Sequence, residues 1–349
     1  MFTKVHAFFL FLLAPLLGFF LAFQEQNPFV LEDATALALP VEPLAKQMEP
    51  LQQQIQGSQD IISNIQTGAE EDKKVFEAQH EKLAQLIETS QSQTKKSEDV
   101  LDQILTNMLG EPIGQTFGKR ATVKVFSLEE SGYKGYMAKV KLHDPNALKV
   151  VLANDSIASK GETTSQAARR KQAVLAINAG GFMNNASGKS VPLGITVVDG
   201  QVKTFSTTAT LSFVGFNQQG RLVGGKIKSR EQLDKMGILQ GASFLPTLLE
   251  GGKKMPIPKD WANKKQPRTL IGHFSNGDLL LIVIDGRRKG WSEGVTLEEA
   301  QQKLLEFKVR DAYNLDGGGS SAFYYDGKLR NRPSDGKERP VTTNIVILP

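Results

Sequence analysis

The spacing of apolar residues changes once along this chain, and the change limits what each part can fold into. Apolar side chains recur at Leu44, Met48, Leu51, Ile55, Ile62 and Ile65, with a skipped position at Ser58. Steps of four and three are the seam of a coiled coil. A second run, Phe76, Leu83, Ile87, Leu101, Ile104 and Met108, resumes after Thr67, Gly68 and Ala69, thinned in its middle by Ser90, Thr94 and Ser97. Gly110 and Pro112 then end the helical text. Beyond them the period shortens to that of strands. Residues 25–111 therefore read as a helical, coiled-coil-like spacer able to pair within one chain or in a homo-oligomer.

Before the spacer, residues 5–23 are nearly all apolar and follow Lys4. A helix of roughly 20 such residues spans a bilayer core. No small-x-small cleavage site follows, since the run ends Leu21, Ala22, Phe23, Gln24. Residues 1–24 are expected to be an uncleaved signal-anchor, with secretion after cleavage as the alternative. The acidic flank at Glu25, Glu32 and Asp33 agrees with a cytoplasmic N-terminus and an extracytoplasmic remainder.

The chain has no cysteine, which excludes disulfides, thiolate metal sites and a cysteine nucleophile. Its four histidines, His6, His80, His143 and His273, are scattered, so a histidine-rich metal centre is not expected. The net charge of +5 conceals a division. Residues 112–349 hold 35 Lys and Arg against 21 Asp and Glu, a charge of +14. A basic surface favours anionic partners such as phosphate-bearing polymers. No nucleic-acid motif accompanies it, and no nucleic-acid partner is expected.

Residues 112–349 alternate short β-rich runs with a few helical patterns. Strands are expected at 122–126, 136–142, 147–152, 173–178, 195–198, 211–216, 269–274 and 279–285. The last two are joined through the turn Ser275, Asn276, Gly277 and Asp278. Helices are expected at 165–171, 229–235 and 296–307, the last opened by a capping box of Thr296 and Glu299. Strands interrupted by occasional helices, without regular βαβ alternation, predict an α+β domain with a mixed sheet.

Four stretches place polar residues beside glycines next to apolar strands. "AINAGGFMNN" puts Asn178 at a strand end, and "QPRTLIG" puts Arg268 at a strand start. "LLLIVIDGRRKG" delivers Asp285, with Arg287 and Arg288 in the loop, and "DAYNLDGGGSSAF" delivers Asn314 and Asp316. Rigid strands that end in flexible loops are where proteins hold reactive groups. Three glycines beside one carboxylate also imply close approach of something to the backbone.

From 171 to 348, these stretches together with "GASFLPTLLEGGK", "GVTLEEAQQKL" and "ERPVTTNIVI" resemble the phosphodiester glycosidase family. One departure is Gly181 before Phe182, where the family often has an aromatic directly after its Asn-x-Gly, and it bears on one wall of the site. The resemblance implies hydrolysis of a sugar-1-phosphodiester of N-acetylglucosamine type at the C1–O bond. Arg268, with Arg287 and Arg339, would hold phosphate bidentately and stabilise the departing charge. Asp316 or Asp285 would be base or nucleophile at C1. Backbone N–H groups of Gly317, Gly318, Gly319 and Ser320 would form an anion nest, while Asn178, Asn314, Ser320 and Ser321 orient sugar hydroxyls. No cofactor is required, and a divalent cation held by the same carboxylates would instead make a phosphoesterase. Non-catalytic binding of an anionic surface polysaccharide is a further alternative. Export combined with a basic domain points to phosphate-containing glycans of the cell envelope.

Overall fold

The strand from Leu279 to Ile284 is six consecutive apolar residues, all buried, and it organises the molecule. Leu279, Leu281 and Val283 enter one core while Leu280, Ile282 and Ile284 enter another. Strand side chains alternate between faces, so an uninterrupted apolar run needs packing on both. This computed structural model describes residues 90–207 and 211–349. The membrane segment and most of the spacer expected from the sequence lie outside those residues. Residues from Ser90 to Pro349 form one unit.

An eight-stranded sheet is built in the order Gly114–Phe117, Ala121–Glu130, Tyr133–Leu142, Leu279–Ile284, Arg268–His273, Asp311–Leu315, Thr247–Glu250 and Lys253–Lys254. A first five-stranded sheet contains Leu148–Leu152, Leu175–Asn178, Phe323–Tyr325 and Thr343–Ile347, and a second contains Thr196–Val198, Ser212–Asn217 and Ile238–Phe244. The α+β expectation holds, but the expected mixed sheet is corrected, since every ladder between these strands is antiparallel. Antiparallel order follows from the connections, since hairpins such as that at Ser275–Asp278 need no crossover helix.

The larger core joins one face of the eight-stranded sheet to both smaller sheets, through Val123, Val140, Leu281, Leu148, Ile177, Phe323 and Phe216. On the other face of the large sheet lies the helix Leu297–Glu306, which turns Leu297, Ala300 and Leu304 inward. Its capping box is formed: the Thr296 side chain accepts from the Glu299 N–H and Glu299 accepts from the Thr296 N–H. The helix Ser90–Leu109 covers the same face with Leu105 and Leu109. It is tied to the sheet by Asp102, which pairs with Lys124 and Lys139. Lys139 is 2% exposed and also pairs with Asp278. Among the described residues no helix is long and apolar enough to cross a membrane.

Antiparallel pairing brings the candidate residues to one end of the layers. Arg268 is opposite Ile284, directly before Asp285, and Thr269 is opposite Leu315, directly before Asp316. Asn178 reaches the same end from the neighbouring sheet, where the Thr269 hydroxyl donates to its Oδ1 at 2.8 Å. The strand ends converge because the register that buries their apolar faces leaves no other alignment.

Candidate active site

A cavity of about 350 Å³ opens at this end of the layers. Asp316 and Gly317, Gly318 and Gly319 line it, together with Arg268, Arg287 and Arg339. The rest of its lining is Phe244 and the segment bearing Asp260, Trp261, Lys264 and Gln266.

Asp316 follows the last residue of its strand, and the backbone there is fixed from both sides. Its N–H donates to the Ala179 carbonyl, and its carbonyl accepts from Asn178 Nδ2. Burial pushes its carboxyl up to about 6, opposed by the Ser320 hydroxyl, Arg339 and the Gly317 N–H. The buried Ser320 hydroxyl has no hydrogen-bond partner within normal geometry among the described residues. A carboxyl tuned to about 6 is ionised at neutral pH yet basic enough to take a proton.

Arg268 is 3% exposed and makes no ion pair among the described residues. Its Nε donates to the Val295 carbonyl and one terminal nitrogen donates to the Lys264 carbonyl at 2.7 Å. Burial lowers its pKa to about 10, with Glu298 opposing and Arg287 adding to the effect, so it stays a cation at neutral pH. A buried cation without a carboxylate is costly unless an anion arrives. Arg287, in a left-handed conformation at φ 58°, donates from Nε to Gln266 at 2.6 Å. It too lacks a carboxylate partner in the described residues. Arg339 differs, pairing with Asp335 at 2.7 Å. That pair lies directly on Gly319, where an added Cβ would meet Arg339 at 2.1 Å and Asp335 at 2.2 Å.

Close approach is thus what the glycine run provides, and two of the four N–H groups expected in an anion nest, those of Gly318 and Ser320, are used within the protein. The loop makes a tight turn in which Gly318 N–H donates to the Pro267 carbonyl, Ser320 N–H to Gly317 and Ser321 N–H to Gly318. These donors are spent inside the protein, and the guanidinium groups of Arg287 and Arg339 come against the glycines instead.

Other candidates take supporting places. Asp285 is 1% exposed and lies outside the cavity lining, which corrects its expected role at C1. Its carboxylate accepts from Trp291 Nε1 at 2.9 Å, Asn331 Nδ2 at 3.1 Å and the Arg332 N–H at 2.9 Å. Burial raises its pKa while these donors oppose the shift. It ties the Arg287 loop to the segment leading to Asp335 and Arg339. Asn178 and Asn314 orient backbone where the sequence reading had them orient hydroxyls: Asn178 accepts from Ala322 N–H, and Asn314 Nδ2 donates to the Leu245 carbonyl. Ser321 lies buried 3.2 Å from the Thr269 hydroxyl. An apolar run ending in Asp-Gly signals a site, but it does not distinguish the carboxylate facing the cavity from one tying its loops. Phe244, Asp260, Trp261, Lys264 and Gln266 were not legible as site residues, because they stand in ordinary strand and loop text. Among the described residues no three histidine or acidic side chains converge as a metal site.

A family model described as phosphodiester glycosidase matches residues 171–348. The chain is 31% identical over 191 residues to the SPbeta prophage-derived uncharacterized protein YomE of Bacillus subtilis (strain 168), covering 53% of this chain and 29% of that one. It is 30% identical over 194 residues to N-acetylglucosamine-1-phosphodiester alpha-N-acetylglucosaminidase of Homo sapiens, covering 51% and 37%. For the Mus musculus protein of the same name the identity is 30% over 172 residues, covering 45% and 32%. The chain therefore spans about a third of the length of these relatives. In fold it is similar to the catalytic domain of the zebrafish enzyme of that name, auto-inhibited by its pro-peptide, with a TM-score of 0.55 at 22% identity over 67% of this chain and 85% of that one. A hypothetical protein from Synechocystis gives 0.54 at 16% identity over 68% and 64%.

Proposed function

Because the chain belongs to the phosphodiester glycosidase family, we propose that it hydrolyses a sugar-1-phosphodiester at the C1–O bond, with Asp316 as base or nucleophile. The observation that carries this reading is the pairing, in one cavity, of a carboxyl raised to about 6 with Arg268, a buried arginine that makes no ion pair among the described residues. The arginine provides for a bound phosphate, and the carboxylate provides for the carbon beside it.

The steps follow from these charges. Arg268 and Arg287 bind the phosphodiester oxygens and hold the sugar's C1 near Asp316. As the C1–O bond breaks, its electron pair leaves on a phosphate oxygen, which departs as a stable anion. Fixed cations stabilise that charge without reorganising, so a strong general acid is not needed. Asp316 either removes a proton from the attacking water or attacks C1 and is later released by water. Either route yields free sugar and a phosphate monoester. Substrates of N-acetylglucosamine-1-phosphodiester type fit this reading, since the relatives' names specify them. Phosphate-containing glycans of the cell envelope are the proposed context, supported by the apolar run at residues 5–23 and the basic C-terminal part.

The test is hydrolysis of the methyl diester of α-N-acetylglucosamine-1-phosphate by the full chain in detergent and oxygen-18 water. Label in the free sugar is the expected result. Label in the phosphate would replace this reading with P–O cleavage by a phosphoesterase, and binding without product would leave a glycan-binding domain.

A further inference from the structure

We propose that Trp261 is the stacking platform for the substrate's pyranose ring, with the neighbouring Asp260 accepting its hydroxyls. This rests on the reading above of the cavity as a sugar-phosphodiester site. Nothing in that reaction uses the aromatic part of the lining, yet it is built with care. Trp261 ends the short turn Lys259–Trp261 and is half-buried, packing against the core under the large sheet. Phe244 meets it edge to face, with ring centroids 5.7 Å apart and planes at 83°. Phe244 is itself seated by Gly181, where a Cβ would lie 2.7 Å from the ring. The missing side chain at Gly181 therefore admits the ring that holds Trp261 in place.

Two groups beside the cavity are unspent. The Trp261 indole N–H has no hydrogen-bond partner among the described residues, although a tryptophan packed against a core usually finds one. The Asp260 carboxylate is exposed and makes no ion pair or side-chain hydrogen bond among them. An aromatic face offers contact to the C–H face of a pyranose, and an adjacent donor and acceptor match its hydroxyls. A lipid chain would leave both polar groups unused, and about 350 Å³ has room for one sugar with its phosphate. The cavity then divides its recognition: cations take the phosphate, while Trp261 and Asp260 take the ring.

The test compares the full chain with Trp261→Ala and Trp261→Phe, using the methyl diester as substrate and inorganic phosphate as a competing ligand. Trp261→Ala is expected to raise KM by roughly tenfold, the scale of a lost aromatic contact. It should change kcat by less than about threefold and the inhibition constant of phosphate by less than about twofold. Trp261→Phe is expected to recover most of the loss. An unchanged KM would overturn the proposal, as would equal weakening of substrate and phosphate, which would mean that the wall had collapsed. A loss seen only when a uridine-bearing aglycone replaces the methyl group would assign Trp261 to the leaving group and also overturn it. If the wild type fails to hydrolyse the diester, the reaction assignment fails separately. Binding of free N-acetylglucosamine, followed by saturation-transfer NMR, then still decides the platform: loss of the signal in Trp261→Ala supports it, and retention sinks it.

Discussion

Asp316 carries a cost that its proposed chemistry explains. Its pKa is about 6 in the folded protein against an ordinary 3.8, so the folded state holds the proton more tightly than the unfolded chain. This group supports the fold fully only below pH about 4, and that support is lost as pH rises through about 6. Asp316→Asn is therefore expected to be more stable than wild type at pH 8, by about 1–3 kcal/mol, with the gap closing toward pH 4. Thermal melts at the two pH values measure it. The same variant should lose at least about a hundredfold in kcat, and wild-type kcat/KM should fall as pH drops below about 6. Arg268 permits a complementary experiment. Millimolar inorganic phosphate is expected to raise the melting temperature of the wild type by binding the folded state, and to leave Arg268→Gln unmoved. An equal rise in both would detach phosphate binding from this arginine.

Among the elements, the large sheet depends on a buried charge cluster. Lys139 is held between Asp278, 5% exposed, and Asp102 on the helix Ser90–Leu109. Burial acts to raise the Asp102 pKa, and hydrogen bonds from Lys124 and Lys139 outweigh it, leaving the carboxyl below its usual range. Lys139→Ala leaves Asp278 buried without a cation, which costs about 3–5 kcal/mol. Urea denaturation should show that loss, and a loss below about 1 kcal/mol would mean that water reaches Asp278. The strands with alternating or continuous apolar text were legible in advance, the Leu279–Ile284 run above all, as was the capping box at Thr296 and Glu299. The strand Ile238–Phe244 was not, because "ILQGASF" carries Gln240 and Gly241 in its interior. Its apolar period is broken, and only neighbouring strands supply its partners. Gln240 is fully buried there, accepting from the Val150 N–H and donating to Asp199.

For the molecule as a whole, the charge of +14 on residues 112–349 has a kinetic consequence. A net positive charge on the part of the chain that carries an arginine-lined cavity would draw the proposed anionic substrate from a distance, and salt screens that attraction within about 10 Å at 0.1 M. Raising salt from about 0.05 to 0.5 M is expected to lower kcat/KM several-fold, mostly through KM. A flat salt profile would show that only the arginines in direct contact matter. Taken alone, the sequence determined the α+β class, the strand ends that carry polar residues, and the family, because apolar period and glycine-rich motifs are local properties of the text. The tertiary structure decided which of two similar Asp-Gly loops faces the cavity. Asp316 and Asp285 both follow buried strands, but Trp291, Asn331 and Arg332 fill the hydrogen-bonding capacity of Asp285 while Asp316 lines the cavity with Arg268. It also decided that Trp261 lines the same cavity. Those outcomes depend on contacts between segments far apart in the chain, set by how layers pack, and no local pattern encodes them.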